Sequence, residues 1–239
     1  INEFNKIIDG KNAVAQNAFY HLADSYIKLD QKQQALNAFK SASEIDFSLE
    51  IKEDAWFNYA KLSYQIGNSY QSAPEVLLSF MEAFPNNENN SELKDLLIDS
   101  YITSKNYQSA LDLLENNKSF KNKLAYQKVT FFRGLELYSE GNYQEGIKIF
   151  NKSLSEPRDA SFTARATFWK AECDYQLSNF EQSLIGYKQF VMLPNSNETP
   201  ETNNLDYNVA YNYFKLKNYL EAIKSFNKYV SKNNVNVSQ

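Results

Sequence analysis

The stretch "LKNYLEAIKSF" at residues 216–226 has three close copies elsewhere in this chain of 239 residues. The copies are "SKNYQSALDLL" at 104–114, "EGNYQEGIKIF" at 140–150 and "LSNFEQSLIGY" at 177–187. In each copy an aromatic residue follows a short polar turn, and a small residue follows the aromatic residue by three positions. A pattern that recurs at a fixed distance of this size predicts a chain built from one repeated supersecondary unit.

Two series of residues define the period of the repeat. The small residues after the turns lie 36–39 positions apart and are Ala35, Ala73, Ala110, Gly146, Ser183 and Ala222. A second series with the same range of spacings lies about 12 positions upstream and consists of Ala23, Ala60, Ile98, Gly134, Ala171 and Ala210. Because the two independent series drift together, we predict six copies of the unit.

Each unit is predicted to be a pair of helices. In the last unit, "NLDYNVAYNYFKL" corresponds to a first helix (helix A), "KN" to the turn and "YLEAIKSFNKYV" to a second helix (helix B). Apolar residues in helix B recur at intervals of three and four, which is the α-helical period. We expect the small residues to lie where the two helices cross, since the side chains at a crossing set the distance between helix axes. The aromatic residue after the turn is expected to fill the core between the helices.

The composition excludes several classes of protein. Hydrophobic residues make up 43% and aromatic residues 15% of the chain, which is too apolar for an intrinsically disordered protein. The net charge is −4, and no cluster of Lys and Arg is present, so we predict no nucleic-acid partner. No run of 18 apolar residues occurs, so we predict no transmembrane segment in this chain.

The residues that could support catalysis or bind a metal are few. His21 is the only histidine and Cys173 the only cysteine, and four repeats separate them, so a Cys–His nucleophilic pair is not expected. Asp95 and Asp99 are one helical turn apart but lack a third ligand. No phosphate-binding loop, dinucleotide-binding glycine motif or zinc-protease motif occurs. We therefore predict no enzyme, no catalytic residue, no metal site and no cofactor.

The repeated unit resembles the tetratricopeptide repeat, over residues 16–230. The residues that carry the resemblance are Phe19, Leu22, Ala23, Tyr26, Ala35, Phe39 and Ala42, then Trp56, Ala60, Gly67 and Pro85, and finally Gly134, Gly141, Tyr143 and Phe150. The copies are longer than the usual length of this repeat, which is about 34 residues. The resemblance implies an all-α fold, a right-handed α-α superhelix (solenoid) of about six helix-turn-helix repeats.

The repeat boundaries imply one solenoid domain over residues 1–239. We expect a partial repeat at 1–12 and full repeats at about 16–50, 53–86, 91–120, 124–158, 162–195 and 203–231. The first residues, "INEFNKII" at 1–8, resemble the second half of a helix B. We therefore expect the chain to be a fragment of a longer repeat protein.

The resemblance also implies a binding groove lined by the A helices. Residues three before, one after and four after each helix-A small residue form one stripe on each A helix. The candidate partner-binding residues on this helix-A stripe are Tyr20, Phe57, Lys61, Tyr64, Phe131, Tyr138, Phe168, Tyr175, Tyr207, Tyr211 and Phe214. The positions equivalent to Tyr211 in the other repeats are expected to be exposed and hold Asp24, Lys61, Asp99, Leu135 and Glu172.

Two interpretations of the stripe remain open. Its aromatic residues either pack against the neighbouring repeat or bind a partner. If they bind a partner, replacing Tyr211, Phe168 and Tyr175 with Ala should lower partner binding more than thermal stability. A groove that grips a carboxylate with several basic residues is disfavoured, because Lys61 is the one base among these positions.

The resemblance implies a non-catalytic scaffold that binds a protein or peptide partner. The style of the repeats is similar to that of tetratricopeptide proteins of the bacterial cell envelope. That similarity implies a periplasmic or outer-membrane-associated location and association with membrane complexes through partners. A cytoplasmic regulatory or sensor module that binds a signalling peptide or an effector domain is the alternative, and a carbohydrate-binding groove is a third possibility.

Overall fold

The computed structural model describes residues 12–117 and 122–233. Over these residues the chain forms twelve α-helices and no β-strand, so the predicted all-α helical-repeat fold is confirmed. Within the same ranges, no helix has the length and apolar character needed to cross a bilayer. The predicted half-helix at 1–8 lies outside the described residues, and the single domain over 1–239 stays a prediction.

The chain folds into two compact units, Ile1–Lys105 and Asn106–Gln239. The helices of the first unit are α1 (Ala13–Lys28), α2 (Lys32–Ser43), α3 (Leu49–Ile66), α4 (Ala73–Ala83) and α5 (Asn90–Thr103). The helices of the second unit are α6 (Tyr107–Asn116), α7 (Lys123–Ser139), α8 (Tyr143–Ser155), α9 (Ala160–Gln176), α10 (Phe180–Met192), α11 (Thr202–Lys215) and α12 (Tyr219–Asn233). In both units, consecutive helices pack against one another as helical hairpins.

The turn after each A helix contains a residue with positive φ. These residues lie seven positions after the helix-A small residues, have φ between 55° and 80°, and are Asp30, Gly67, Lys105, Gly141, Ser178 and Lys217. In the last turn, the Asn218 N–H donates to the Tyr213 carbonyl at 2.9 Å, which closes a Schellman-type C-cap. The "KN" of the opening stretch therefore ends α11 and begins α12 without a glycine.

The helix crossings depend on small residues, as predicted. A Cβ atom on Gly134 of α7 would lie 2.6 Å from Cε1 of the buried Phe150 on α8. A Cβ atom on Gly186 of α10 would lie 2.6 Å from Cβ of Ala171 on α9. Neither Cβ could be accommodated without moving a packed group, so these hairpins owe their close approach to the missing side chains.

The second hairpin, formed by α3 and α4, differs from the predicted repeat at the start of its helix B. Helix α4 begins at Ala73 itself, whereas the other B helices begin three residues before their small residue. The cause is local, because Ser72 and Glu75 form a capping box and a proline, Pro74, occupies the first turn. Ala73 is only half-buried, and Tyr70 lies in the loop and is exposed, so the prediction that this aromatic residue fills the core is wrong. Tyr219 at the start of α12 is also exposed.

A buried glutamine on an A helix fixes a linker between hairpins in each unit. The Gln16 amide on α1 donates to the Ile45 carbonyl at 2.7 Å and accepts from the Ser48 N–H at 2.7 Å. Gln127 on α7 accepts from the N–H groups of Arg158 and Asp159 at 2.9 and 2.7 Å. Both glutamines lie seven residues before a helix-A small residue, so they are the same position of the repeat.

Candidate functional site

In the first unit the helix-A stripe packs against neighbouring helices. The Tyr20 hydroxyl on α1 donates to the Asp54 carboxylate on α3. The ring of Phe57 lies 6.0 Å from that of Phe80 on α4. Lys61 is paired with Glu92 of α5 at 2.7 Å, and its ammonium group lies over the ring of Phe57. Tyr64 is half-buried beside α4 and α5.

In the second unit two residues of the stripe belong to the hydrophobic core. Phe131 and Phe168 are 0% and 3% exposed, which corrects their placement on a binding surface. The Phe131 ring lies 5.2 Å from that of Phe162 on the next A helix, and the Phe168 ring lies 5.4 Å from that of Tyr187. Replacing Phe168 with Ala should therefore lower stability rather than partner binding alone. Tyr138 also packs, with its ring centroid 4.9 Å from Trp169.

The stripe on α11 is exposed. Tyr207, Tyr211 and Phe214 expose 41%, 37% and 50% of their surface. Their rings contact one another, at 4.8 Å between Tyr207 and Tyr211 and 6.4 Å between Tyr211 and Phe214. The Phe214 ring also lies 5.8 Å from that of Tyr219 on α12. The second unit thus presents a continuous set of exposed aromatic rings, which we call the α11 aromatic surface (Tyr207, Tyr211, Phe214 and Tyr219).

A pocket of about 270 Å³ opens beside this surface and is enclosed by α9, α10 and α11. Its lining residues, which define the tyrosine pocket, are Glu172, Tyr175, Tyr187, Tyr207, Asn208 and Tyr211. The predicted stripe residues Tyr175, Tyr207 and Tyr211 are brought together here. Glu172 was expected to be exposed, but it is 9% exposed because α10 and α11 close over it.

Glu172 is held at the base of the tyrosine pocket by two hydrogen bonds. The Tyr187 hydroxyl donates to its Oε1 atom at 2.5 Å, and the Asn208 amide donates to the same oxygen. Burial raises the pKa of Glu172 above its ordinary value, and the two hydrogen bonds oppose this rise. Burial also raises the pKa of Tyr187 and of Tyr175, so both phenols stay protonated at neutral pH.

The residues considered for catalysis have other environments. Cys173 is fully buried in the core of α7, α8 and α9, and burial raises the pKa of its thiol to about 12. A thiol in this state is a poor nucleophile, since the thiolate is the reactive form. His21 lies on the exposed face of α1. Within residues 12–117 and 122–233, no three His, Cys, Asp or Glu side chains are grouped as metal ligands.

Two lining residues of the tyrosine pocket, Tyr187 and Asn208, were not predicted. Tyr187 lies four positions after the helix-B small residue, where the other repeats have only Phe or Leu: Phe39, Leu77, Leu114, Phe150 and Phe226. A hydroxyl at a position that is otherwise apolar was therefore a usable signal, because a buried hydroxyl needs a hydrogen-bond partner. Asn208 carries no comparable signal in the sequence.

Comparison with known proteins finds a family match in two segments of the chain. A family model described as "Tetratricopeptide repeat" matches residues 16–48 and 207–233. The C-terminal part of a TPR repeat-containing protein from Cytophaga hutchinsonii is 13% identical, with a TM-score of 0.59, and the match covers 99% of this chain and 90% of that one. Among curated proteins, no significant match was found.

Two further solved structures share the fold. The apo form of RapI is 13% identical, with a TM-score of 0.51, over 92% of this chain and 64% of that one. A signal transduction ATPase with a tetratricopeptide repeat sensor from Pyrococcus horikoshii is 19% identical, with a TM-score of 0.50, over 91% of this chain and 36% of that one. At these identities the likeness shows the fold alone. The family model matches segments in the first and last repeats, and the solved structures share the helical-repeat fold.

Proposed function

From its tetratricopeptide repeats, we propose that this chain is a non-catalytic scaffold that binds a partner protein or peptide through the helix-A side of its second unit. The observation that carries the proposal is the α11 aromatic surface. Phe and Tyr bury a large apolar area at a small entropic cost, and such rings are enriched at protein interfaces. The position of Tyr211 supports it further, since the equivalent positions in the other repeats hold no aromatic residue.

The partner is proposed to contact Tyr207, Tyr211 and Phe214 together, with Tyr175 at the edge of the contact. Phe131 and Phe168 are left out of the proposed surface because they are buried. Five further residues are left out because they are half-buried and packed against neighbouring helices: Tyr20, Phe57, Lys61, Tyr64 and Tyr138. Tyr207 and Tyr211 also contact Phe226 of α12, but more than a third of each residue stays exposed. The pairing of Lys61 with Glu92 also argues against a basic clamp for a terminal carboxylate in the first unit.

Site-specific photo-crosslinking in the native host tests this proposal. A photoreactive phenylalanine analogue at position 211 should give one reproducible crosslinked protein, identified by mass spectrometry. The same analogue at position 70 is the matched control, because Tyr70 is an exposed tyrosine of the first unit outside the α11 aromatic surface. Replacing Phe214 with Ala should weaken the crosslink from position 211 while leaving the melting temperature nearly unchanged, since Phe214 is half exposed.

Two outcomes would overturn the proposal. Equal crosslinking from positions 211 and 70 would show that the contact is not specific. Crosslinks to α12 are expected, because the Tyr211 ring lies 5.4 Å from that of Phe226. A crosslink from position 211 to a segment of the same chain outside α9–α12, with no crosslinked partner, would show that another part of this chain covers the aromatic surface.

We further propose that the partner belongs to the assembly machinery of the cell envelope or outer membrane, on the strength of the resemblance in repeat style alone. The alternative is a regulatory module that binds a signalling peptide or an effector domain. The identity of the crosslinked partner discriminates between them, because an envelope protein supports the first and a cytoplasmic effector the second. Failure of peptidoglycan or other glycans to retain the chain would exclude a carbohydrate-binding groove.

A further inference from the structure

The tyrosine pocket has the dimensions of a receptor for one side chain. Its volume of about 270 Å³ lies below the range of about 300–1,000 Å³ that is typical of pockets for drug-sized ligands. Its rim is formed by Tyr207 and Tyr211, which also belong to the α11 aromatic surface. A partner bound to that surface could therefore place a single side chain in the pocket.

Within residues 12–117 and 122–233, the carboxylate of Glu172 at the base of the pocket has no cationic partner. Both of its hydrogen bonds, from Tyr187 and Asn208, go to Oε1. The other oxygen, Oε2, accepts no hydrogen bond from residues 12–117 and 122–233, and 9% of the surface of Glu172 stays exposed. Over the same ranges, no Lys, Arg or His nitrogen lies within 4.0 Å of Glu172. A buried carboxylate without a counter-charge is unfavourable, so the pocket favours a ligand that brings a positive charge.

Aromatic rings supply the second feature that a cation requires. Four tyrosines line the pocket, and the face of an aromatic ring attracts a cation through its quadrupole. The rings of Tyr207 and Tyr211 are inclined by 53° to each other rather than stacked in parallel. The combination of a buried carboxylate and several aromatic rings disfavours an anionic ligand and suits an organic cation.

We infer that the tyrosine pocket binds the primary ammonium group of a lysine side chain of the partner. The ammonium group would donate a hydrogen bond to Oε2 of Glu172 while its methylene groups lie against the tyrosine rings. A primary ammonium fits better than a quaternary one, because only the former can donate to that oxygen. This inference rests on the proposed function for its source of lysine, but the chemistry of the pocket can be tested without the partner.

The test uses small probes and the whole chain with ¹³C-labelled tyrosine rings. Titration with n-butylammonium should shift the ring resonances of Tyr207 and Tyr211 in a saturable way, whereas n-butanol, which has the same carbon chain without the charge, should not. Tetramethylammonium should bind more weakly than n-butylammonium. Equal binding of butanol, or tighter binding of tetramethylammonium, would overturn the inference.

Two variants separate the contributions of charge and ring. Glu172→Gln retains an acceptor for Tyr187 and Asn208 but removes the charge, and it should weaken butylammonium binding by about tenfold or more, as expected for a close charge interaction. Tyr211→Phe retains the ring and should bind nearly as well as the parent, whereas Tyr211→Leu should bind more weakly. Tyr70→Leu is the control for loss of an exposed tyrosine elsewhere. Unchanged binding in a folded Glu172→Gln variant would refute the role of the carboxylate.

The inference and the proposed function fail in different ways. If butylammonium binds but position 211 gives no crosslinked partner, the pocket stands and the scaffold function is refuted. If a partner crosslinks at position 211 but its affinity does not change when its lysines are acetylated, the scaffold function stands and the lysine pocket is refuted.

Discussion

Gln127 is predicted to stabilise the second unit by hydrogen-bonding the linker between two helical hairpins. Its side chain is fully buried on α7, where its Nε2 group donates to the Thr163 hydroxyl at 2.9 Å and to the Asp159 carbonyl at 3.1 Å. Its Oε1 atom accepts from the N–H groups of Arg158 and Asp159. One amide group therefore hydrogen-bonds three backbone groups of the linker that leads into α9.

Replacing Gln127 with Met keeps the approximate volume and removes every one of these bonds. The Asp159 carbonyl still accepts from Thr163, but the N–H groups of Arg158 and Asp159 lose their acceptor. Each unsatisfied donor costs about 1–3 kcal/mol, and both sites are only partly buried. We therefore expect the free energy of unfolding of the second unit to fall by about 2–4 kcal/mol.

Tryptophan fluorescence during urea unfolding measures this loss. The chain has two tryptophans, Trp56 in the first unit and Trp169 in the second, so a Trp56→Phe background reports on the second unit alone. Gln176→Met is the matched control, because Gln176 is an exposed glutamine on α9, and it should change the unfolding free energy by less than about 0.5 kcal/mol. A loss below about 0.5 kcal/mol for Gln127→Met, or an equal loss for both variants, would refute the reasoning.

Two further predictions use the same fluorescence assay. Ser178 has positive φ (64°) in the turn after α9, so Ser178→Gly should stabilise the second unit by about 0.5–1 kcal/mol. Gly141→Ser at the equivalent turn should destabilise the second unit. If neither variant changes the free energy of unfolding, a non-glycine residue has no energetic cost at positive φ in these turns. Burial disfavours the charge of Glu201, but hydrogen bonds from Arg165 and Trp169 outweigh this effect and lower the pKa of Glu201 below the ordinary 4.5. The charged carboxylate therefore contributes its full stabilisation above pH 4.5, and this stabilisation is lost as the pH falls through the lowered pKa. Glu201→Gln should therefore reduce the loss of unfolding free energy below pH 4.5, and an unchanged acid dependence would contradict the assignment.

The hydrogen-bonded linkers show why part of the structure could not be predicted. Gln16 and Gln127 occupy the same repeat position, and Glu53 at that position accepts a hydrogen bond from Asn87 at 2.7 Å. The other repeats have different residues there, such as Ala164, so a sequence pattern based on apolar and small residues does not reveal it. The function of this position depends on a linker more than 30 residues away, which only the packed structure brings near.

The candidate binding surface could also be predicted only in part from the sequence. The helical period correctly placed Tyr207, Tyr211 and Phe214 on one stripe, and the same period placed Phe131 and Phe168 on equivalent stripes. Periodicity defines which face of a helix a residue occupies, but it does not say whether another helix covers that face. Phe131 is covered by Phe162 of the next A helix, whereas the α11 rings are exposed.

The residue pattern was enough to predict the repeat, its period and the helical hairpin encoded by "LKNYLEAIKSF", because small residues at fixed spacing are a local requirement of helix crossing. Only the packing of α9, α10 and α11 buries Glu172 among four tyrosines, whereas its place on the stripe predicted an exposed residue. Burial and hydrogen bonding depend on three helices closing around one carboxylate, and no spacing within a single helix carries that information.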